Sequence, residues 1–191
     1  MKPKKDFLYA LDQVREVVIR LLPEQLSLST PDTEWDVRAL LGHMLYELVW
    51  VPDIVAGQTI ESVGSRHEGD LLGKNPIGAW RKAAVAASEA VRRCDPREMA
   101  HLSYGDTRIA HYLQEAATDQ LVHAWDLGKA IGVEVQFDET LAHEIFERMD
   151  AKRESLAASG LFAEPIDVGD DAHIQTRLLA LLGRRSDWQA N

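Results

Sequence analysis

Asp119 and His123 stand four residues apart in the segment DQLVHAWDL, residues 119–127. In a helix, side chains four positions apart lie one above the other on the same face. A carboxylate and an imidazole in this arrangement can hold one metal ion from a rigid element. A hydrogen-bonded pair or a solvated helix face uses the same spacing, and spacing alone favours that second interpretation.

His43 is a third candidate ligand, from a distant part of the chain. It stands at the margin of an apolar helical stripe that includes Leu40, and alone it fits a half-buried histidine as well as a ligand. Three protein ligands are usual in a catalytic metal site, where an open position remains for water or substrate. Imidazole and carboxylate ligands suit zinc, and also nickel or iron. With Asp119 and His123, His43 therefore defines the candidate site for a divalent ion.

Three further side chains near these positions each have two interpretations. Glu47, one turn after His43, is either a fourth ligand or general base, or a surface carboxylate. Tyr112 either contacts a bound water or only packs. Asp126 either orients a ligand or interacts with Arg38, and we favour a structural role for it.

The other histidines have no partner at metal-binding spacing, and we predict that they lie on the surface or in loops: His67, His101, His111, His143 and His173. Trp35 and Trp125 are interpreted as packing residues. Cys94 has no paired histidine or cysteine and is predicted to be a small packing residue. None of these positions adds to the candidate site.

Apolar residues recur at helical spacing along most of the chain. The first predicted helix covers residues 5–22. The second is opened by a capping box at Thr33 and Asp36, and Pro52 kinks or ends it. The other predicted helices cover residues 78–93, 108–131 (ending at Gly132), 138–159 (closed by Gly160) and 171–183. Residues 100–107 are predicted to be a short extended connection, since no alternation is long enough for a sheet. The expected class is all-α, with the helices packed as an up-down bundle and additional helices toward the C-terminus.

Composition narrows the function. The 191 residues suit a single domain over 1–191, and 46% apolar residues can form a sizeable core. The net charge of −10 argues against a nucleic-acid partner, and no apolar run is long enough for a membrane helix. The single cysteine excludes an intrachain disulfide and fits a cytoplasmic protein, which we expect to be a monomer or a homodimer.

Two strings stand out, TPDTEWDVRALLGH at residues 30–43 and HAWDLGKAIG at residues 123–132. They resemble the metal-binding relatives of mycothiol-dependent maleylpyruvate isomerase, which belong to the DinB-like superfamily of four-helix bundles. The tail TRLLALLGRRSDW at residues 176–188 resembles the ending of an actinobacterial subgroup of these relatives. Together the three motifs span nearly the whole chain.

The resemblance implies a site and two functions. In that family a histidine of the second helix and a carboxylate–histidine pair on a later helix bind a divalent metal, usually zinc; by motif these become His43, Asp119 and His123, with aspartate where the isomerase has glutamate. The first implied function is a metal-dependent transferase or isomerase that joins a low-molecular-weight thiol, such as mycothiol, to an electrophilic substrate. The alternative is a non-catalytic metal-binding module with a binding or regulatory role. A third hypothesis is a metal-independent domain that dimerises through the amphipathic helix predicted over residues 138–159.

Overall fold

The computed structural model describes residues 2–32, 34–154 and 163–190. Within them the chain is mostly helical, and four long helices form a bundle: α1 (Pro3–Val18), α2 (Val37–Val55), α4 (Pro76–Arg93) and α5 (Ile109–Ile131). The shorter helices are α3 (Ile60–Val63), α6 (Glu139–Asp150) and α7 (Ile174–Leu181), with 3-10 turns at Pro23–Ser27 and Gly64–His67. The predicted all-α bundle with additional C-terminal helices is confirmed.

The four long helices close a ring around one core. Helix α1 packs against α5 and α4, and α2 packs against the same two helices. Most apolar positions that recur every three or four residues in the sequence face this centre, and several large side chains there have at most 1% of their surface exposed: Phe7, Leu40, Trp80, Leu113 and Leu121. Burial of each such side chain contributes about 1.5–3 kcal/mol to the free energy of folding. This core holds α2 and α5 side by side.

The helix ends explain several differences from the predicted boundaries. Helix α2 begins after Asp36, whose carboxylate accepts a hydrogen bond from the backbone N–H of Ala39 at 2.8 Å. The predicted capping box made Thr33 the N-cap of this helix. Thr33 lies outside the described residues, and in the structure the N-cap is Asp36. Pro52 does not end α2. The helix continues past it for three residues, to Val55. Gly132 ends α5 with φ +77°, as predicted.

Three helices are clearly shorter than predicted, and one of them is α7, which covers Ile174–Leu181 rather than 171–183. Helix α1 ends at Val18 rather than at residue 22, and Pro23 opens a 3-10 turn instead of directly ending the helix. Helix α6 ends at Asp150 and a turn follows at residues 151–152, so the prediction of one continuous helix over 138–159 is wrong; residues 155–159 and Gly160 lie outside the described residues. The apolar face of α6 is buried against α7 and the core within the chain.

A β-hairpin precedes α5. Strands β1 (Met99–Leu102) and β2 (Gly105–Arg108) pair antiparallel, with Leu102 opposite Gly105. We predicted an extended connection without a sheet, and this needs correction: strands of four residues are too short to show a reliable alternation. Ala100 is fully buried, which anchors the hairpin to the bundle. Since β2 runs directly into α5, the hairpin fixes where that helix begins.

Among the described residues, no single helix has both the length and the apolar character needed to cross a membrane. Only α2 taken together with residues 60–67, a pair bent by 107°, meets the length and composition criteria. The apolar stripe of α2 is buried inside the bundle.

Candidate metal centre

The fold brings His43 of α2 and Asp119 and His123 of α5 to one point. One potential ligand atom from each of the three lies within 4.8 Å of the others. The Nε2 atoms of His43 and His123 stand 3.4 Å and 3.3 Å from Oδ1 of Asp119. Two donors bound at about 2.0–2.1 Å to a tetrahedral ion would stand about 3.3 Å apart. The three side chains can therefore hold a metal ion.

The packing of α5 on α2 sets these distances. Gln120 is buried beside Asp119, and its Nε2 donates a hydrogen bond across the helix interface to the backbone oxygen of Met44, at 3.4 Å. Met44 directly follows His43 in α2. This bond therefore joins the two helices next to their candidate ligands and fixes their relative position along the helix axes.

The cluster is buried on one side and accessible on the other. The side chain of His123 is only 8% exposed, whereas those of His43 and Asp119 are 26% and 33% exposed. A structural zinc site is normally closed by four protein ligands, while a catalytic one keeps an open position. Three ligands with an exposed side match the second kind of site.

Asp126 holds the imidazole of His123 from behind. Its Oδ2 lies 3.0 Å from Nδ1 of His123, and its side chain is fully buried. A carboxylate that accepts the Nδ1–H of a histidine leaves Nε2 free to act as the ligand atom. Of the two interpretations of Asp126, the structure favours the first, because Asp126 orients the imidazole of the candidate ligand His123. The suggested partner Arg38 is wrong, because Arg38 lies beside Asp70 at 3.3 Å.

Arg184 is the cation that contacts Asp126 instead. Its Nη2 lies 3.2 Å from Oδ2 of Asp126, and the side chain is 7% exposed. Sequence reasoning missed this residue because it stands 58 positions further along the chain. Its place in the tail motif at residues 176–188 was the only available indication.

Trp35 forms a wall of the cluster. Its ring stacks on that of His43 with centroids 4.7 Å apart and an angle of 30°, and it lies 5.8 Å from the ring of His123. We predicted that Trp35 is a packing residue. Its indole does pack, and the rings it packs against are those of the two candidate histidine ligands. Trp125 is buried on α5 and lies under the ammonium group of Lys129, at 5.4 Å.

Glu47 and Tyr112 lie beside the cluster without joining it. Glu47 is not one of the three grouped ligand residues. Burial, and then the charge of Asp119, raise the pKa of the Glu47 carboxyl above its usual range. Burial, and then the charge of Glu47, raise the pKa of Tyr112. Glu47 is therefore half-buried in an acidic environment and is not a simple surface carboxylate.

Charge within the cluster couples Asp119 to His123. Burial opposes ionisation of Asp119, but His123 and then His43 outweigh it and hold the pKa of this carboxyl well below its usual range. Burial also opposes protonation of His123, but Asp119 and Asp126 raise the pKa of His123 to about 10. Without an ion, a proton on His123 thus balances the two flanking carboxylates.

This proton predicts how the stability of the metal-free protein depends on pH. The pKa of His123 is about 10 in the folded chain, against an ordinary value of 6.5. Its stabilising contribution is therefore complete below pH 6.5 and declines as the pH rises toward 10, by at most about 1.4 kcal/mol per pH unit. We expect chemical denaturation of the metal-free protein to give a lower free energy of unfolding at pH 9 than at pH 7.

The matched control for this experiment is His123→Gln, which cannot carry the proton. The difference between pH 7 and pH 9 should be much smaller in this variant than in the native chain. Equal losses of stability in both proteins would mean that other groups cause the effect.

The other histidines each pair with one carboxylate or none. Ion pairs join His101 to Asp106, His111 to Glu115 and His173 to Glu139 at 2.8–3.2 Å, and His143 is exposed. His67 is the least exposed of them, at 14%, and lies at the end of the 3-10 turn Gly64–His67, 2.8 Å from Asp53. Cys94 is half-buried and its thiol donates to the backbone oxygen of Val91, in keeping with a packing role. Within the described residues, none of these histidines belongs to a group of three candidate ligands.

A separate cavity of about 610 Å³ lies between the end of α5 and the start of α7. Trp125, Lys129 and His173 are among its lining residues, and none of the three candidate ligands is. The cluster and this cavity are therefore different features of the molecule.

Comparison with known protein families identifies a match over most of the chain. The family model described as mycothiol maleylpyruvate isomerase N-terminal domain matches residues 7–145. The matched segment includes His43, Asp119, His123 and Asp126, and it ends before Arg184. No curated protein and no solved structure matches the chain.

Proposed function

The chain belongs to the mycothiol maleylpyruvate isomerase N-terminal domain family, and from this premise we propose that it is a metal-dependent enzyme of thiol chemistry. It binds one divalent ion through His43, Asp119 and His123. It then joins a low-molecular-weight thiol, such as mycothiol, to an electrophilic substrate in a transfer or isomerisation reaction. The observation that carries this proposal is the convergence of three ligand atoms within 4.8 Å of one another, at a point that solvent reaches.

Zinc is the proposed ion. Two imidazoles and one carboxylate form a common ligand set of catalytic zinc sites. Nickel and iron accept the same ligands, so metal analysis of the purified protein is the direct test of the ion's identity.

The surrounding residues have distinct roles in this proposal. When bound, the ion would supply a positive centre that lowers the pKa of a coordinating thiol. Asp126 keeps Nε2 of His123 directed toward Asp119, and the indole of Trp35 shields one side of His43 from water. Glu47 is proposed to accept the thiol proton on its carboxylate, because a raised pKa makes a carboxylate a better base.

A non-catalytic metal-binding module is the competing function. It would use the same three ligands, so metal binding alone does not separate the two. The exposed sides of His43 and Asp119 favour catalysis, since a purely structural ion needs no access from solvent.

The response of the bound ion to a thiol tests the proposal. We expect the cobalt-substituted protein to change its visible absorption spectrum when mycothiol or another small thiol is added, because a sulfur ligand enters the coordination sphere. Excess chelator should abolish both the spectrum and any conjugation of the thiol to an electrophile.

An S-methylated form of the same thiol is the control, because it cannot become a thiolate, and it should leave the spectrum nearly unchanged. If cobalt binds but the free thiol has no effect on its spectrum, the non-catalytic module is the correct function.

A further inference from the structure

Arg184 lies in the C-terminal tail, beyond the segment that the family model matches. Its Nη1 donates to the backbone oxygen of Leu182 at 2.9 Å, and its Nη2 lies 3.0 Å from Asp32 and 3.2 Å from Asp126. We propose that Arg184 is a positioning residue of the metal centre, which holds His123 in its ligating orientation through Asp126. This inference rests on the proposed function, since it requires that His123 binds an ion.

The first step of the argument is the shared oxygen of Asp126. The same Oδ2 faces Nδ1 of His123 at 3.0 Å and Nη2 of Arg184 at 3.2 Å, while Oδ1 is buried with no hydrogen-bond partner in the described part of the chain. Removal of one partner of a buried ion pair leaves an uncompensated charge and is strongly unfavourable. In the described residues, Arg184 is the only arginine or lysine that forms an ion pair with Asp126. Without Arg184, the buried carboxylate of Asp126 has no compensating positive charge from an arginine or lysine of the described chain, and it is no longer held in the position that orients His123.

The second step is the contact with Asp32. This residue belongs to the loop that leads to Trp35, and the hydroxyl of Thr30 lies 2.9 Å and 2.8 Å from the backbone oxygens of Asp32 and Trp35. The Trp35 ring stacks on His43. The guanidinium group of Arg184 is therefore linked to both candidate histidine ligands. It contacts Asp126, which holds His123, and it contacts Asp32 in the loop that carries Trp35, which stacks on His43.

The third step is the backbone that delivers Arg184. Gly183 follows α7 with φ +76°, a conformation that residues with a side chain rarely adopt. The backbone N–H of Arg184 then donates to the oxygen of Leu179 at 2.8 Å. This turn directs the side chain of Arg184 inward, although the neighbouring Arg185 is exposed and pairs with Asp187.

The test compares zinc affinity in Arg184→Met, Arg184→Lys, Asp126→Asn and the double variant Arg184→Met/Asp126→Asn, measured by competition with a chelating dye. Loss of a residue that supports a metal ligand typically weakens metal affinity about 10–100-fold. We expect a loss in this range for Arg184→Met and a partial recovery for Arg184→Lys. The double variant should be little weaker than Asp126→Asn alone, because both residues act through His123. The cobalt spectrum of Arg184→Met should also differ from that of the native protein.

Leu178→Ala is the control for a purely structural effect. Leu178 is fully buried in α7 and has no polar group with which to hold a carboxylate, so this variant should lower the melting temperature without weakening zinc affinity. If Arg184→Met does not fold, Arg184→Lys and Asp126→Asn carry the comparison.

Two results would overturn the assignment: native affinity in the Arg184 variants, or an Arg184→Met effect that persists undiminished in the Asp126→Asn background. If the native chain itself binds no zinc, the proposed function fails rather than this assignment alone.

Discussion

Replacement of His123 by alanine should lower the affinity for zinc by more than about 100-fold, which exceeds the range expected for residues that only support a ligand. His123 is the least exposed of the three candidate ligands, and its Nε2 lies 3.3 Å from Oδ1 of Asp119. No other histidine of the described chain joins the cluster apart from His43, so none can take its place. Metal analysis and zinc titration of His123→Ala, with His43→Ala beside it, measure the effect.

His111→Ala is the matched control. His111 lies on the same helix and also pairs with a carboxylate four residues away, Glu115, at 3.1 Å. Because no third candidate ligand joins this pair in the described part of the chain, its loss should leave zinc affinity unchanged. Equal effects of His111→Ala and His123→Ala would show that binding is nonspecific and that the centre does not exist.

Replacement of Phe7 by alanine should reduce the free energy of unfolding by about 3–5 kcal/mol, the usual cost of removing a large aromatic side chain from a core. Phe7 is fully buried in α1, which packs extensively against α5. Because α5 supplies two of the three candidate ligands, this interface also supports the site. Urea denaturation of the metal-free protein measures the change.

Ile19→Ala is the appropriate control for this loss. Ile19 follows α1 directly and is 55% exposed, so its replacement should change the free energy of unfolding by less than about 0.5 kcal/mol. A loss below about 1 kcal/mol for Phe7→Ala would mean that the interface between α1 and α5 is looser than it is in this structure.

The helices and the placement of Asp119 and His123 on one helix face could be predicted from the sequence because both depend on local spacing. Apolar residues repeat every three or four positions in the long helices, and Asp119 and His123 are separated by one helical turn. The spacing could not show that His43 lies beside them, since that depends on how α2 packs on α5. The resemblance to a known family supplied this part of the prediction.

What the sequence could not show depends on contacts between distant residues. Arg184 reaches Asp32 across 152 positions and Asp126 across 58, and no periodicity links such positions. The indole of Trp35 belongs to a loop, where no regular pattern gives the direction of a side chain. The hairpin before α5 was missed because each strand has only four residues.

The arrangement around Arg184 also has a consequence for biosynthesis. The ribosome releases a protein from its N-terminus, so α1 to α5 and all three candidate ligands emerge before the tail. Until Arg184 is translated, the carboxylates of Asp32 and Asp126 lack the cation that they share in the folded protein. The candidate centre is therefore completed only after α7 and Arg184 have been synthesised, later than all three of its candidate ligands.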